Sequence, residues 1–121
     1  MGNWGSQESS NCVNPKDMRF THEDINSKFT DGVTKLEDTV ADIRAGSLDP
    51  KNLGPLDVHR GQNGEIWCEN NRRLWVLRRA GVRSIEVKYK NNDFRSRSLG
   101  DQTREKLRDA NFLPRIRGSA A

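Results

Sequence analysis

The apolar positions of this 121-residue chain switch between a period of two and a period of about 3.6. The switch is plainest between Gly64 and Gly81. Ile66 and Cys68 alternate with Trp67 and Glu69, which predicts a short strand with Ile66 and Cys68 buried. Asn70 or Asn71 then serves as the N-cap of a helix that Gly81 stops. Leu74, Leu77 and Gly81 share one face of that helix with Trp75 beside them, and Arg72, Val76 and Arg79 fall on another.

The same periods organise the rest. Residues 1–16 are polar and rich in Gly, Asn and Ser, and read as a disordered tail. Residues 17–20 predict a first strand. Thr21 followed by Glu23 and Asp24 predicts a capped helix to about Phe29, with Ile25 and Phe29 as its buried pair. Asp31-Gly32 is a turn. Thr34 and Glu37 form a capping box for a second helix to about Ala45, which buries Leu36, Val40 and Ile43 and ends at Gly46. Residues 55–60 predict a strand with Leu56 and Val58 inward and Asp57 and His59 on the opposite face. Residues 61–64 form a hairpin turn into the Ile66 strand. Residues 84–90 predict a strand with Ile85, Val87 and Tyr89 on one face. Residues 100–111 predict a charged helix with a narrow apolar seam, and residues 114–121 a basic flexible tail. The sum is a small single-domain α+β fold over residues 17–113, a short mixed sheet with a β-hairpin and several helices.

Charge sharpens this picture. The net charge is +4, but from Arg72 onward fourteen Lys/Arg face five Asp/Glu, a net +9 that leaves −5 on residues 1–71. A basic C-terminal half points to an anionic partner, nucleic acid or nucleotide. No apolar run approaches a membrane span and no cleavable signal is visible. Cys12 and Cys68 make no disulfide framework, so a reducing cytoplasmic or nuclear setting is expected. With His22 and His59 they show no metal-ligand spacing, and no metal site is assigned. Met1-Gly2 followed by Ser6 fits the N-myristoylation pattern, which makes Gly2 a lipidation candidate and the chain membrane-associated if it is acylated. One acyl chain alone anchors weakly.

Two arginines in the first turn of a capped helix stand where free backbone N–H groups already favour an anion. Asn70, Asn71, Arg72 and Arg73 are therefore the candidate phosphate-binding residues, with Arg79 on the same helix. Cutting a phosphodiester would need a base or a metal ligand nearby. Asp57, His59 and Glu69, with Glu65 as a further acid, are the candidates, because the hairpin brings their strands beside the helix start. Cys68, alternating with Ile66, reads as a core thiol.

The helix pair between Ile25 and Gly46, the strand Pro55-Leu56-Asp57-Val58, and Asn71-Arg72-Arg73-Leu74 followed by Arg79-Ala80-Gly81 and Ile85-Glu86-Val87 together resemble the ParB/sulfiredoxin superfamily. The last part is similar to the ParB box and to the ParB-like domains of bacterial polymorphic toxins. The resemblance implies a nucleotide or nucleic-acid phosphate site at the helix start, with Mg2+ arriving on a nucleotide. In sulfiredoxins the helix begins Gly-Cys-His-Arg, and those positions are Asn70, Asn71, Arg72 and Arg73 here. Asn71 stands where the nucleophilic cysteine would be, which argues against sulfinic acid reduction; the ParB acid falls there too. The arginine pair survives. The expected function is phosphate binding for nucleic acid or nucleotide, with phosphodiesterase, nuclease or nucleotide-hydrolase activity left open. The alternative is a non-catalytic protein-interaction module, N-myristoylated at membranes, with Trp4, Trp67 or Trp75 as anchors.

Overall fold

The alternation around the hairpin turn does form paired strands, and the rest of the sheet is added on both sides of them. The structure, a computed structural model, describes residues 11–61, 64–90 and 101–117. In chain order these hold β1 Cys12–Val13, β2 Met18–Phe20, β3 Asp24–Asn26, α1 Leu36–Ala45, β4 Leu56–Arg60, β5 Ile66–Cys68, α2 Asn71–Arg79, β6 Ile85–Tyr89, α3 Asp101–Arg108 and β7 Arg115–Arg117. Short 3-10 turns cover Pro15–Asp17 and Pro50–Leu53.

The result is a small α+β domain with a mixed sheet in the order β1-β6-β4-β5-β2. β4 pairs antiparallel with β5 and parallel with β6, while β2 lies parallel to β5 at one edge. β3 and β7 form a separate parallel pair. Register puts Phe20, Cys68, Val58 and Tyr89 in one row, with Leu56 and Val87 in another on the same face. These side chains pack with Leu36 and Val40 of α1, Leu74, Val76 and Leu77 of α2, and Leu107 of α3. Residues this apolar and this closed to water supply most of the folding drive.

Several expectations change. The strand at β5 was to bury Ile66 and Cys68 and expose Trp67; instead Trp67 and Cys68 are both fully buried and Ile66 only partly. Both faces of β5 are covered, so alternation no longer reports burial. The helix expected over residues 21–29 is absent. Thr21 spends its hydroxyl on the Cys68 carbonyl (3.0 Å), and Asp24–Asn26 pairs with β7. Asp and Asn are weak helix formers, and a strand partner was available. Ile25 is still buried, now from a strand. The tail predicted as disordered contributes β1 along β6, and the basic tail contributes β7; residues 1–10 and 118–121 lie outside the described residues.

The two glycine stops form as expected. Gly46 ends α1 at φ +82° and Gly81 follows α2 at φ +77°. At Gly81 the N–H of Val82 reaches the Leu77 carbonyl (3.0 Å) and that of Gly81 the Arg78 carbonyl (3.2 Å), a Schellman closure. The capping box does not form. α1 starts at Leu36, its N-cap Lys35 makes no side-chain bond, and the Thr34 hydroxyl donates to Asp31 (2.6 Å). Asp31 also accepts from the N–H groups of Val33 and Thr34 (2.9 Å each).

The Thr34 hydroxyl bond first, then the two backbone bonds, pull the Asp31 carboxyl down from 3.8 to about 2. A depressed carboxyl lends its stabilisation above its unfolded value and loses it as pH falls through the folded one. An NMR titration of the native protein will therefore show Asp31 ionising at about 2, and Thr34→Val will move that midpoint back towards 3.8.

Candidate functional site

The start of α2 is fastened by the two asparagines that open it. Asn71 is 5% exposed. Its Oδ1 accepts the N–H groups of Thr21 (2.7 Å) and His22 (3.3 Å), and its Nδ2 donates to the Thr21 hydroxyl (2.8 Å) and the Glu69 carbonyl (3.2 Å). These four bonds use the whole capacity of a carboxamide. Asn70 Oδ1 accepts the Asp57 N–H (2.6 Å), while the Glu69 N–H donates to the Asp57 carbonyl (2.9 Å). Neither asparagine side chain caps the helix. As a phosphate ligand Asn71 can therefore offer only its main-chain N–H, which corrects the expected role of its side chain, whereas Asn70, which lines the cleft, commits only its Oδ1. The uncapped first turn keeps the positive end of the helix dipole without an internal acceptor.

The two arginines beside it are partly committed to the fold. Arg72 donates to the Lys28 carbonyl (3.0 Å) and the Thr30 hydroxyl (3.3 Å), and Arg73 to the Leu53 carbonyl (3.0 Å). Both are half-buried. Each guanidinium carries five N–H donors, so each retains some beyond these bonds. The arginines thus hold the 28–30 and 50–53 loops against the helix start while keeping their charge there.

A cleft of about 300 Å³ opens at this point. Its cationic wall is Arg72, Arg73 and Arg117, with His22 on the same lining, its acids are Asp24 and Glu69, and Ile25 and Phe29 form an apolar side. Arg117 was not anticipated in the site. It arrives because β7 pairs with β3 and sets Arg117 opposite Asn26. The alternation Arg115-Ile116-Arg117 after Pro114 was the available signal, but it is three residues long.

The catalytic candidates separate. His59 is 4% exposed and its Nε2 meets the Glu69 carboxylate in a very short contact, while the Glu69 side chain is 42% exposed and lines the cleft. Glu69 can touch a ligand and His59 stands behind it. Asp57 pairs with Lys90 (3.6 Å) and Glu65 with Arg108 (3.0 Å); neither lines the cleft. Arg79 lies at the far end of α2, about 10 Å along the axis from Arg72, with its guanidinium 5.5 Å from the Trp75 ring. It borders a separate groove with Arg44 and Glu37 of α1, so it leaves the phosphate set.

Two of the three expected interface tryptophans are core. Trp67 is 0% and Trp75 5% exposed; Trp4 and the lipidation candidate Gly2 lie outside the described residues. Among the described residues no group of three or more His, Cys, Asp or Glu could hold a metal ion, and no helix is long and apolar enough to cross a membrane. Burial pushes the Cys68 thiol up to about 12, against smaller pulls from the Asn70 backbone N–H and then Arg73. A thiol held protonated is a poor nucleophile. The chain matches no protein-family model, no curated protein and no solved structure.

Two outcomes follow from this packing. Asn71→Ala will lower the unfolding free energy by about 1–3 kcal/mol in urea titrations, because the part-buried N–H groups of Thr21 and His22 lose their acceptor. A maleimide will modify Cys12, which is exposed, in the native protein and will reach Cys68 only after denaturation, as counted by mass spectrometry.

Proposed function

We propose that the cleft at the start of α2 binds a phosphate group of nucleic acid or a nucleotide, in a domain of ParB/sulfiredoxin-like type. The observation that carries the reading is the convergence of Arg72, Arg73, Arg117 and His22 on one cleft that also receives the uncapped helix start. Three guanidiniums and unpaired main-chain N–H groups are suited to a doubly charged oxyanion through charge-assisted bonds. The order of β-hairpin, arginine-headed helix and following strand supports the superfamily reading. The strand β3 in place of the first expected helix departs from it.

Asp24 and Glu69 limit what binds productively. Their carboxylates oppose a bare anion by like charge and favour a ligand that also brings a hydroxyl, an amine or a bound cation. If a phosphodiester is cut, Glu69 is the group in reach of it, with His59 holding its carboxylate from behind. Asn71, with every donor and acceptor used inside the fold, takes no part in such a step.

The test is a thermal-shift screen against nucleotides with and without Mg2+, and against short DNA and RNA at low salt. Arg117→Gln is the informative variant, because Arg117 is an exposed residue and its loss spares the loop ties of Arg72 and Arg73. Native protein will be stabilised by one ligand class, and Arg117→Gln will weaken that binding and lower the log–log salt slope by about 1 for a polyanion. Absence of any shift with all ligands would remove the phosphate reading.

A further inference from the structure

The cleft at the start of α2 is lined by acids and guanidiniums that do not meet each other. Glu69 stands just before the helix, yet its Oε2 turns to Nε2 of buried His59, and its Oε1 bonds to nothing among the described residues. Asp24 comes from β3. Register sets Asp24 opposite Arg115 and Asn26 opposite Arg117. Residues i and i+2 of a strand share a face, and so do cross-strand partners, so Asp24 and Arg117 lie on one face of the β3–β7 pair. Among the described residues Asp24 nonetheless makes no ion pair and no side-chain hydrogen bond. Arg72, Arg73 and Arg117 likewise meet no carboxylate there. The first two donate to carbonyl and hydroxyl oxygens instead.

Opposite charges that line one small cavity and stay unpaired are kept apart by the space between them. Unspent acceptors and donors around a common space suit a ligand that brings both kinds of partner. A bare phosphate satisfies the arginines but meets two carboxylates of like charge. A phosphate that also carries hydroxyls satisfies both. At about 300 Å³ the cleft stands at the lower end of small-molecule sites. The acids therefore reach the part of the ligand bonded next to its phosphate. In a nucleotide or a nucleic acid that part is the sugar, and the base lies further out. Ribose offers a 2′-hydroxyl that deoxyribose lacks, and a carboxylate is a suitable acceptor for it.

We propose that Asp24 and Glu69 read the sugar hydroxyls of the ligand, so that the cleft takes a phosphorylated ribose and discriminates against its 2-deoxy counterpart. That selection rests on the phosphate reading above and goes beyond it by naming what is chosen among phosphates. The guanidiniums hold the phosphate and the two carboxylates accept from the hydroxyls. His59 is a positioning residue, because its bond to Oε2 fixes the Glu69 carboxylate and leaves Oε1 for the ligand. The half-buried Phe29 gives the sugar, or the base beyond it, an apolar surface. A free ribonucleotide and the end of an RNA strand both present this unit.

The test is an amide NMR titration at low ionic strength with ribose 5-phosphate, 2-deoxyribose 5-phosphate, inorganic phosphate and O-phosphoethanolamine. Native protein is compared with the Asp24→Ala/Glu69→Gln variant. Native protein will bind ribose 5-phosphate about ten- to a hundredfold more tightly than the deoxy sugar, the range for one or two lost bonds to a charged acceptor. In the variant that ratio will fall below about threefold. Inorganic phosphate will bind the variant at least as tightly as the native protein, because the like charges are gone, and this also shows that the cleft is intact. A native ratio near one with phosphate still bound would overturn the hydroxyl reading and leave the phosphate site standing. An unchanged ratio in the variant, or loss of its phosphate binding, would overturn it as well. Tighter binding of O-phosphoethanolamine than of ribose 5-phosphate would assign the acids to an ammonium group instead. No binding of any of these to native protein would remove the phosphate reading together with this one. Adenosine 5′-monophosphate and a short 5′-phosphorylated RNA, titrated in the same way against their deoxy counterparts, separate the two sources, and the tighter binder will show the same ribose preference.

Discussion

Everything near the candidate site hangs on the carboxamide of Asn71. It sits at the start of α2, and it bonds to Thr21 and His22 just after β2 and to Glu69 just after β5. An asparagine fits because it offers two donors and two acceptors from one small planar group. An acid here would lack the donors, and a cysteine would lack most of the geometry. With Asn70 tied to Asp57 in the same way, the first turn of α2 is set by both neighbouring strands. The helix cannot slide or tilt without breaking buried bonds. That rigidity is what gives the uncapped N–H groups and the two arginines a fixed place.

The site that results carries charge of both signs. Arg72, Arg73 and Arg117 bring three cations, of which two are also structural struts to the Lys28, Thr30 and Leu53 positions. Such struts lower the reorganisation needed when a ligand arrives, since the guanidiniums are already oriented. Glu69 supplies the opposing charge and is itself held by buried His59. Under the proposed reading, a cleft with both signs favours ligands that satisfy both at once.

Local signals were readable where chemistry acts within a few residues. Gly46 and Gly81 take left-handed conformations because their helices have to stop, and their lack of a side chain marks them. The strands at Leu56–Arg60 and Ile85–Tyr89 bury Leu56, Val58, Ile85 and Val87 as their alternation indicated, but Tyr89 is only half-buried and His59, expected on the open face, is buried too. The failures share a cause. Thr21 and Thr34 both looked like helix caps, yet each found a better partner: the Cys68 carbonyl for one and the Asp31 carboxylate for the other. Trp67 looked like a surface or interface residue because its strand alternates, and only cover on the second face buries it. Arg79 shares a helix with Arg72, but seven positions of helix, about two turns, separate their surroundings.

By itself the sequence determined a small mixed α+β domain, the arginine-headed helix and its position after a hairpin, because periodicity, turn residues and glycine stops act over short spans. Tertiary structure alone decided that β3 pairs with β7, that Arg117 enters the cleft, that Asn70 and Asn71 spend their side chains on distant strands, and that Glu69 faces the cleft while His59 does not. Those outcomes depend on contacts between residues tens of positions apart, and a hydrogen-bonding side chain goes to whichever acceptor the completed fold brings nearest.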